Sequence, residues 1–126
     1  QMGPITTTVA YSATGSLSQH SDMIVLGSMA LPAPGMDAAT FGPQAAKALH
    51  ADFGATIKDS HAQKICNHTQ AGWYISSQLT IDGSDMDVEE TFAIGKTRAQ
   101  MASYVREKDT AEITNARKSL DTLCLQ

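Results

Sequence analysis

AGWYISSQLTIDGSDMDVEETFAIGKTRAQMASYVR, residues Ala71 to Arg106, decides the fold. It reads as three antiparallel strands joined by two tight turns. From Gly72 to Ile81, Trp73, Ile75, Ser77 and Leu79 share one parity, and Tyr74, Ser76, Gln78 and Thr80 the other. Strand side chains alternate between faces, so Trp73, Ile75 and Leu79 point the same way. That face is apolar and the other is polar apart from Tyr74, which predicts a sheet buried more deeply on one side. Asp82-Gly83-Ser84 supplies turn residues, with Gly83 free to take a positive φ. The second strand, about Val88 to Ile94, sets Val88, Glu90, Phe92 and Ile94 against Glu89, Thr91 and Ala93. Gly95-Lys96 is the next turn. The third strand, about Arg98 to Arg106, sets Ala99, Met101, Ser103 and Val105 against Gln100, Ala102 and Tyr104. β-Branched and aromatic residues are frequent in all three runs, as pleated surfaces favour.

Upstream, Gln1 to Pro4 reads as a loose arm and Ile5 to Ser12 as a Thr-, Val- and Tyr-rich strand. Ala13 to Asp22 is a polar loop. Met23 to Leu31 is a second strand with a nearly continuous apolar run, stopped by Pro32-Ala33-Pro34-Gly35. Asp37 to Phe53 is a helix. Asp37 is its N-cap, Pro43 suits the first position of its regular part, and Gly54 suits its end. Phe41, Ala45, Leu49 and Phe53 recur every four residues as one apolar stripe. Ala55 to Cys66 reads as a strand anchored by Ile57 and Ile65, and Asn67 to Gln70 as a polar turn. Downstream of the meander, Asp109 and Glu112 form a capping box. Ile113, Ala116, Leu120 and Leu123 then mark a closing helix that lies on the sheet. The expected class is α+β: an antiparallel β-sheet covered by helices, in the order ββ-α-ββββ-α, as an α-β-α sandwich. Ile5 to Ser12 is the expected exposed edge, a place where another chain can pair.

The 126 residues suit a single domain spanning 1–126. Hydrophobic residues make up 42% and charged residues 17%, below the usual quarter, with Ser, Thr and Ala filling the gap. Exported bacterial proteins often tilt this way. Net charge is −4 and no basic run of three occurs, which excludes an electrostatic footprint for nucleic acid or anionic lipid. No apolar run approaches an integral membrane span. A chain opening on Gln1 and a short Gly-Pro segment looks processed or trimmed. The expectation is a secreted or periplasmic protein whose signal peptide has been removed.

Cys66 and Cys124 are the only cysteines. Either both are free core thiols or they pair. Zinc needs further ligands at the right spacing, and neither CxxC nor HxxxH occurs. Export favours pairing. A bridge would then tie the closing helix to the sheet.

Candidate chemistry is sparse. Asp82, Asp85, Asp87, Glu89 and Glu90 cluster around the hairpin, but their order does not match a calcium loop and reads as a solvated turn. His20, His50, His61 and His68 read as ordinary surface histidines. His61 and His68, seven apart, fall on opposite faces of a regular strand. Ser76 and Ser77 lack a nucleophile elbow, and Gly95-Lys96-Thr97 lacks the upstream glycine of a phosphate loop. Asn67-His68-Thr69 is a formal glycosylation sequon. Trp73 is read as core. No catalytic residue, metal ligand or cofactor site is assigned.

A family resemblance rests on spaced residues. These are Leu31-Pro32 before a helix, Gly54 at its end, and a strand leading to Cys66. Gly72-Trp73-Tyr74, a hairpin carrying Glu89-Glu90, a third strand with Tyr104 and Arg106, and a last helix ending Ser119-Leu120-Asp121-Thr122-Leu123-Cys124 complete the pattern. It resembles the PsbP/Mog1-like superfamily, in particular its small exported bacterial members, over about Met23 to Cys124. That family ranges from photosystem subunits to Ran-binding proteins and bacterial lipoproteins. The resemblance implies an α-β-α sandwich with accessory or binding roles, and fold alone does not fix function. The expected function is an exported, non-enzymatic binding or accessory module whose partner is a protein or a small ligand. Tyr74, Tyr104 and Arg106 are the candidate surface contacts. The alternative is a small hydrolase or ligand carrier using a pocket between helix and sheet, which requires two or more of His61, His68, Asp85 and Glu90 to converge within hydrogen-bond reach.

Overall fold

The computed structural model describes residues 23–81, 83–108 and 118–124 in full, and the backbone of 5–12. The expected N-terminal arm, the loop from Ala13 to Asp22, and the closing helix's start at Asp109 with Glu112, Ile113 and Ala116 lie outside the described residues.

Strands β1 (Ile5–Ser12) and β2 (Met23–Ala30) come first, then helix α1 (Ala38–Phe53). Strands β3 (Thr56–Ile65), β4 (Gln70–Ile81), β5 (Ser84–Ile94) and β6 (Arg98–Glu107) follow. A short 3-10 turn, Leu120–Thr122, comes last. The fold is α+β. All six strands form one sheet in the order β1-β2-β6-β5-β4-β3, every pair antiparallel. Strands β3 to β6 are a simple meander. The chain reaches it from β2 through α1, and β6 then returns beside β2. β1 is an edge of the sheet, as expected.

The registers sort the side chains by face. Trp73 stands opposite Phe92, which stands opposite Met101. Met29 and Ala99 continue the same face on the next strand pair. α1 covers this face with Phe41 and Ala45, and Ile75 completes a cluster in which every member is buried. Phe41 and Phe92 meet edge to face with ring centroids 5.5 Å apart. The Trp73 indole is anchored by a hydrogen bond from Nε1 to Ser60 Oγ, 2.9 Å.

The helix begins a turn earlier than Pro43 suggested. Asp37 Oδ1 accepts the Thr40 N–H at 2.8 Å, a side-chain cap that also holds the Asp37 carboxyl below its ordinary range. Pro43 therefore sits inside the helix, on its exposed side, where water can satisfy the carbonyl it leaves unbonded. Gly42 is there because of packing: a Cβ added to it would fall inside the Trp73 ring. Gly54 closes the helix with φ 69°, its N–H bonded to His50 O.

The turn after β3 is unusual. Cys66, Asn67 and His68 have φ of 54°, 53° and 67°, three consecutive non-glycine residues in the left-handed region. Thr69 holds the turn: its N–H bonds Ile65 O and Cys66 O, and its Oγ1 donates to Cys66 O at 2.6 Å. His68 is exposed. The His68→Gly variant is expected to gain up to about 1 kcal/mol in denaturant unfolding, because glycine accepts this conformation without strain. A loss of stability would show that the His68 ring has a contact worth more than the relieved strain.

Candidate functional site

The sheet face opposite α1 is covered at one end by the C-terminal segment. Cys66 and Cys124 are bonded, joining the turn after β3 to the last described residue. Asn67 N–H donates to Asp121 O at 3.2 Å, and Gln63 Nε2 to Asp121 Oδ1 at 2.7 Å. Thr91 Oγ1, buried in the middle of the sheet, donates to Leu120 O at 2.9 Å. Leu120 is fully buried against Ala102 and Tyr104, with Ile24, Leu26 and Leu123 around it. The segment leaves its helical turn at Leu123, which is extended (φ −57°, ψ 128°), so the helix expected to run to Cys124 ends at Thr122, two residues short.

Between this strap and strands β2 and β6 lies a groove of about 530 Å³. Leu26, Ala102 and Leu123 give it apolar walls; Ser28, Gln100 and Thr122 supply neutral hydrogen-bonding groups. None of its described lining residues is charged. Arg98 stands beside it, with Nη2 donating to Ser28 Oγ at 3.0 Å. The described lining suits an uncharged ligand part apolar and part polar.

The sequence candidates are dispersed. Tyr104 is fully buried and Tyr74 is 8% exposed, so both are interior residues and not the surface contacts expected. The reason is that the second face is covered too. Arg106 is mostly buried and pairs with Asp87, Nη1 to Oδ2 3.4 Å. The acidic cluster is divided by strand alternation. Asp85 accepts from Thr80 Oγ1 at 3.0 Å and Asp87 from Gln78 Nε2 at 2.8 Å, while Glu90 lies on the other face. His50 Nδ1 donates to Ala55 O at 2.9 Å. His61 lies on β3, His68 in the exposed turn and Asp85 at the start of β5. These do not converge with Glu90, so the hydrolase reading loses the residues it named. Among the described residues no three His, Cys, Asp or Glu side chains stand together as metal ligands.

One buried carboxyl belongs to a residue whose sequence neighbours mark a solvated turn. Glu90 is 6% exposed on the α1 face of β5. Burial pushes its carboxyl above the ordinary range, and the bond from Ser103 Oγ to Oε2, 2.9 Å, only partly opposes this. Ser77 lies on the same face of the neighbouring strand, 1% exposed, with its Oγ unpartnered among the described residues. Apolar clusters lie to either side: Ile75 and Phe92 toward α1, Met86 and Val88 away from it. The signal was present in the sequence, since Glu90 shares its parity with Val88, Phe92 and Ile94.

A carboxyl raised in the folded state binds its proton more tightly there than in the unfolded chain. Its favourable contribution is complete below the unfolded value near 4.5 and is lost as pH rises through the raised folded value. Glu90→Gln is therefore expected to unfold at higher denaturant than the parent at neutral and alkaline pH. The difference should shrink toward acid pH. A variant less stable than the parent at pH 8 would mean that the ionised carboxylate has a buried cationic partner.

No family model matches the chain, and no curated protein matches it. Among solved structures it is similar to the crystal structure of PA94 from Pseudomonas aeruginosa, a protein of unknown function for which a regulator's role has been suggested. The two superpose with a TM-score of 0.63 at 11% identity, over 98% of this chain and 82% of that one. At that identity the likeness is one of fold alone. No described helix is long and apolar enough to cross a membrane.

Proposed function

We propose that this chain is an exported, non-enzymatic binding module, an α-β-α sandwich of the PsbP/Mog1-like kind, which holds an uncharged ligand or peptide segment between its C-terminal strap and the sheet. The observation that carries this reading is the uncharged groove of about 530 Å³ whose outer wall is latched by Cys66–Cys124. A bonded cysteine pair supports a secreted or periplasmic setting, because cytosolic thiols are kept reduced. A groove with apolar walls and a few neutral donors and acceptors supports binding over catalysis. The regulator's role suggested for PA94 is compatible with a protein that works by holding a partner. The ligand-carrier reading uses the same groove and differs only in the size of what is held.

The test is a fragment screen by amide NMR on the oxidised protein, using uncharged amphiphiles and short neutral peptides. Binders are expected to shift the amides of Leu26, Gln100 and Leu123. Ser28→Trp, which puts an indole at a position lining the groove, should weaken them at least roughly tenfold, about 1.4 kcal/mol. Shifts scattered elsewhere, or binding indifferent to Ser28→Trp, would overturn the assignment.

A further inference from the structure

Among the described residues β3 ends the sheet, pairing with β4 alone. Two of its backbone groups are bonded instead to its own side chains. Ser60 N–H donates to Asp59 Oδ1 at 2.9 Å, and Ala62 O accepts from His61 Nδ1 at 2.9 Å. Residues two apart on a strand present their N–H and C=O to the same side, so these bonds occupy adjacent docking positions along one edge. The two side chains also meet each other, His61 Nε2 to Asp59 Oδ2 3.5 Å, and are 46% and 59% exposed. Turning outward would cost them little beyond the His61 contact with Tyr74, ring centroids 5.0 Å apart.

Beside this edge α1 carries a second stripe. Pro43, Ala46 and His50 share one side of the helix, and with Ile57 of β3 they line a shallow, almost wholly apolar groove of about 420 Å³. Phe53 continues the stripe and is 59% exposed, the only large hydrophobic side chain so exposed among the described residues. A strand laid along β3 would place every second side chain against this wall. Lys47, Lys58 and Lys64 stand exposed along the edge in a chain whose net charge is −4. Of the acids on or against β3, Asp59 is engaged as described and Asp121 accepts from Gln63 Nε2 at 2.7 Å.

We propose that the β3 edge and the outer stripe of α1 form an acceptor site for an extended segment of another protein, bound by strand addition. Asp59 and His61 are its stopper. The segment has apolar side chains at alternate positions, facing α1, and acidic residues between and beside them, facing the lysines. This site is separate from the strap groove and does not depend on it.

The probe is a fluorescein-labelled peptide of alternating valine and glutamate, about six residues long, titrated into the whole chain by fluorescence anisotropy. The Asp59→Ala/His61→Ala variant is expected to bind it roughly tenfold more tightly than the parent, since two edge groups no longer have to be released. Ile57→Asp should abolish binding by charging the groove. The same peptide N-methylated at alternate residues should not bind. Equal binding of the methylated peptide, or no gain in the double variant, overturns strand addition. Sedimentation showing that the double variant dimerises without taking up the peptide assigns the edge to a second copy of this chain, and overturns the proposal as well.

Discussion

Opening the Cys66–Cys124 bond is expected to lower the unfolding free energy by about 4 kcal/mol, and the melting temperature by roughly 15 °C. The bond closes a sequence separation of 58, long enough that the unfolded chain loses much of its freedom. The native state also loses a fastening. Leu120 is fully buried, and its burial depends on the strap staying against Ala102 and Tyr104. The measurement is urea unfolding of the oxidised protein, the reduced protein and Cys66→Ser/Cys124→Ser. Reduced and serine forms should coincide in midpoint and retain one cooperative transition. A loss under about 1 kcal/mol would mean that the bonds from Thr91, Gln63 and Asn67 hold the strap unaided. An early second transition would mean that the strap unfolds by itself. Intact mass after alkylation, with and without reductant, establishes that the starting material carries the bond.

The second large effect is expected at Gly42. Alanine is ordinarily the better helix residue, by about 1 kcal/mol. Here Gly42→Ala should destabilise by about 3 kcal/mol, because the added methyl has no room beside the Trp73 ring and α1 must lift from the sheet. The lift would disturb Phe41 and Ala45, the residues through which the helix reaches the core. Trp73→Leu removes the obstructing ring. In that background Gly42→Ala should be nearly neutral, and a double-mutant cycle reads the difference as coupling between the two positions. Additive effects would locate the glycine's importance in the helix backbone and not in the contact.

Much of this was legible in the chain. Alternation from Trp73 to Leu79, with turn residues at Asp82-Gly83 and Gly95-Lys96, marks strands and hairpins by chemistry local to each segment, and β4, β5 and β6 follow it. The helix cap at Asp37 and its end at Gly54 are equally local. Less legible were the features that depend on what lies across the sheet. Gly42 looks like a flaw in a helix until Trp73 is placed under it. Tyr104 reads as a surface residue from its hydroxyl alone, yet Ala102 beside it on the same parity is apolar, and so are Met101 and Val105 on the other. Both faces of β6 are buried, and only apolar residues on both parities hint at it. Glu90 was hidden by its acidic neighbours, which share its charge but not its face. Counting the cysteines leaves free thiols or a pair, and only the assumption of export tips the choice; nothing in the sequence marks the left-handed turn that presents Cys66 to the strap.

The sheet order has a consequence for how the molecule comes together in time. β3 to β6 can assemble strand by strand, each hairpin forming from neighbours within microseconds. β2 cannot: its ladder partner is β6, so that Ser28 meets Arg98 across 70 positions of chain. During synthesis the first hairpin emerges early, with one side of β2 open, and waits for nearly the whole chain to follow. Closing that ladder is the high-contact-order step and sets the pace of folding. Until it closes, β2 and β6 expose Met29, Leu26 and Tyr104 together with unpaired backbone, and that interval is when the chain is most open to misassociation.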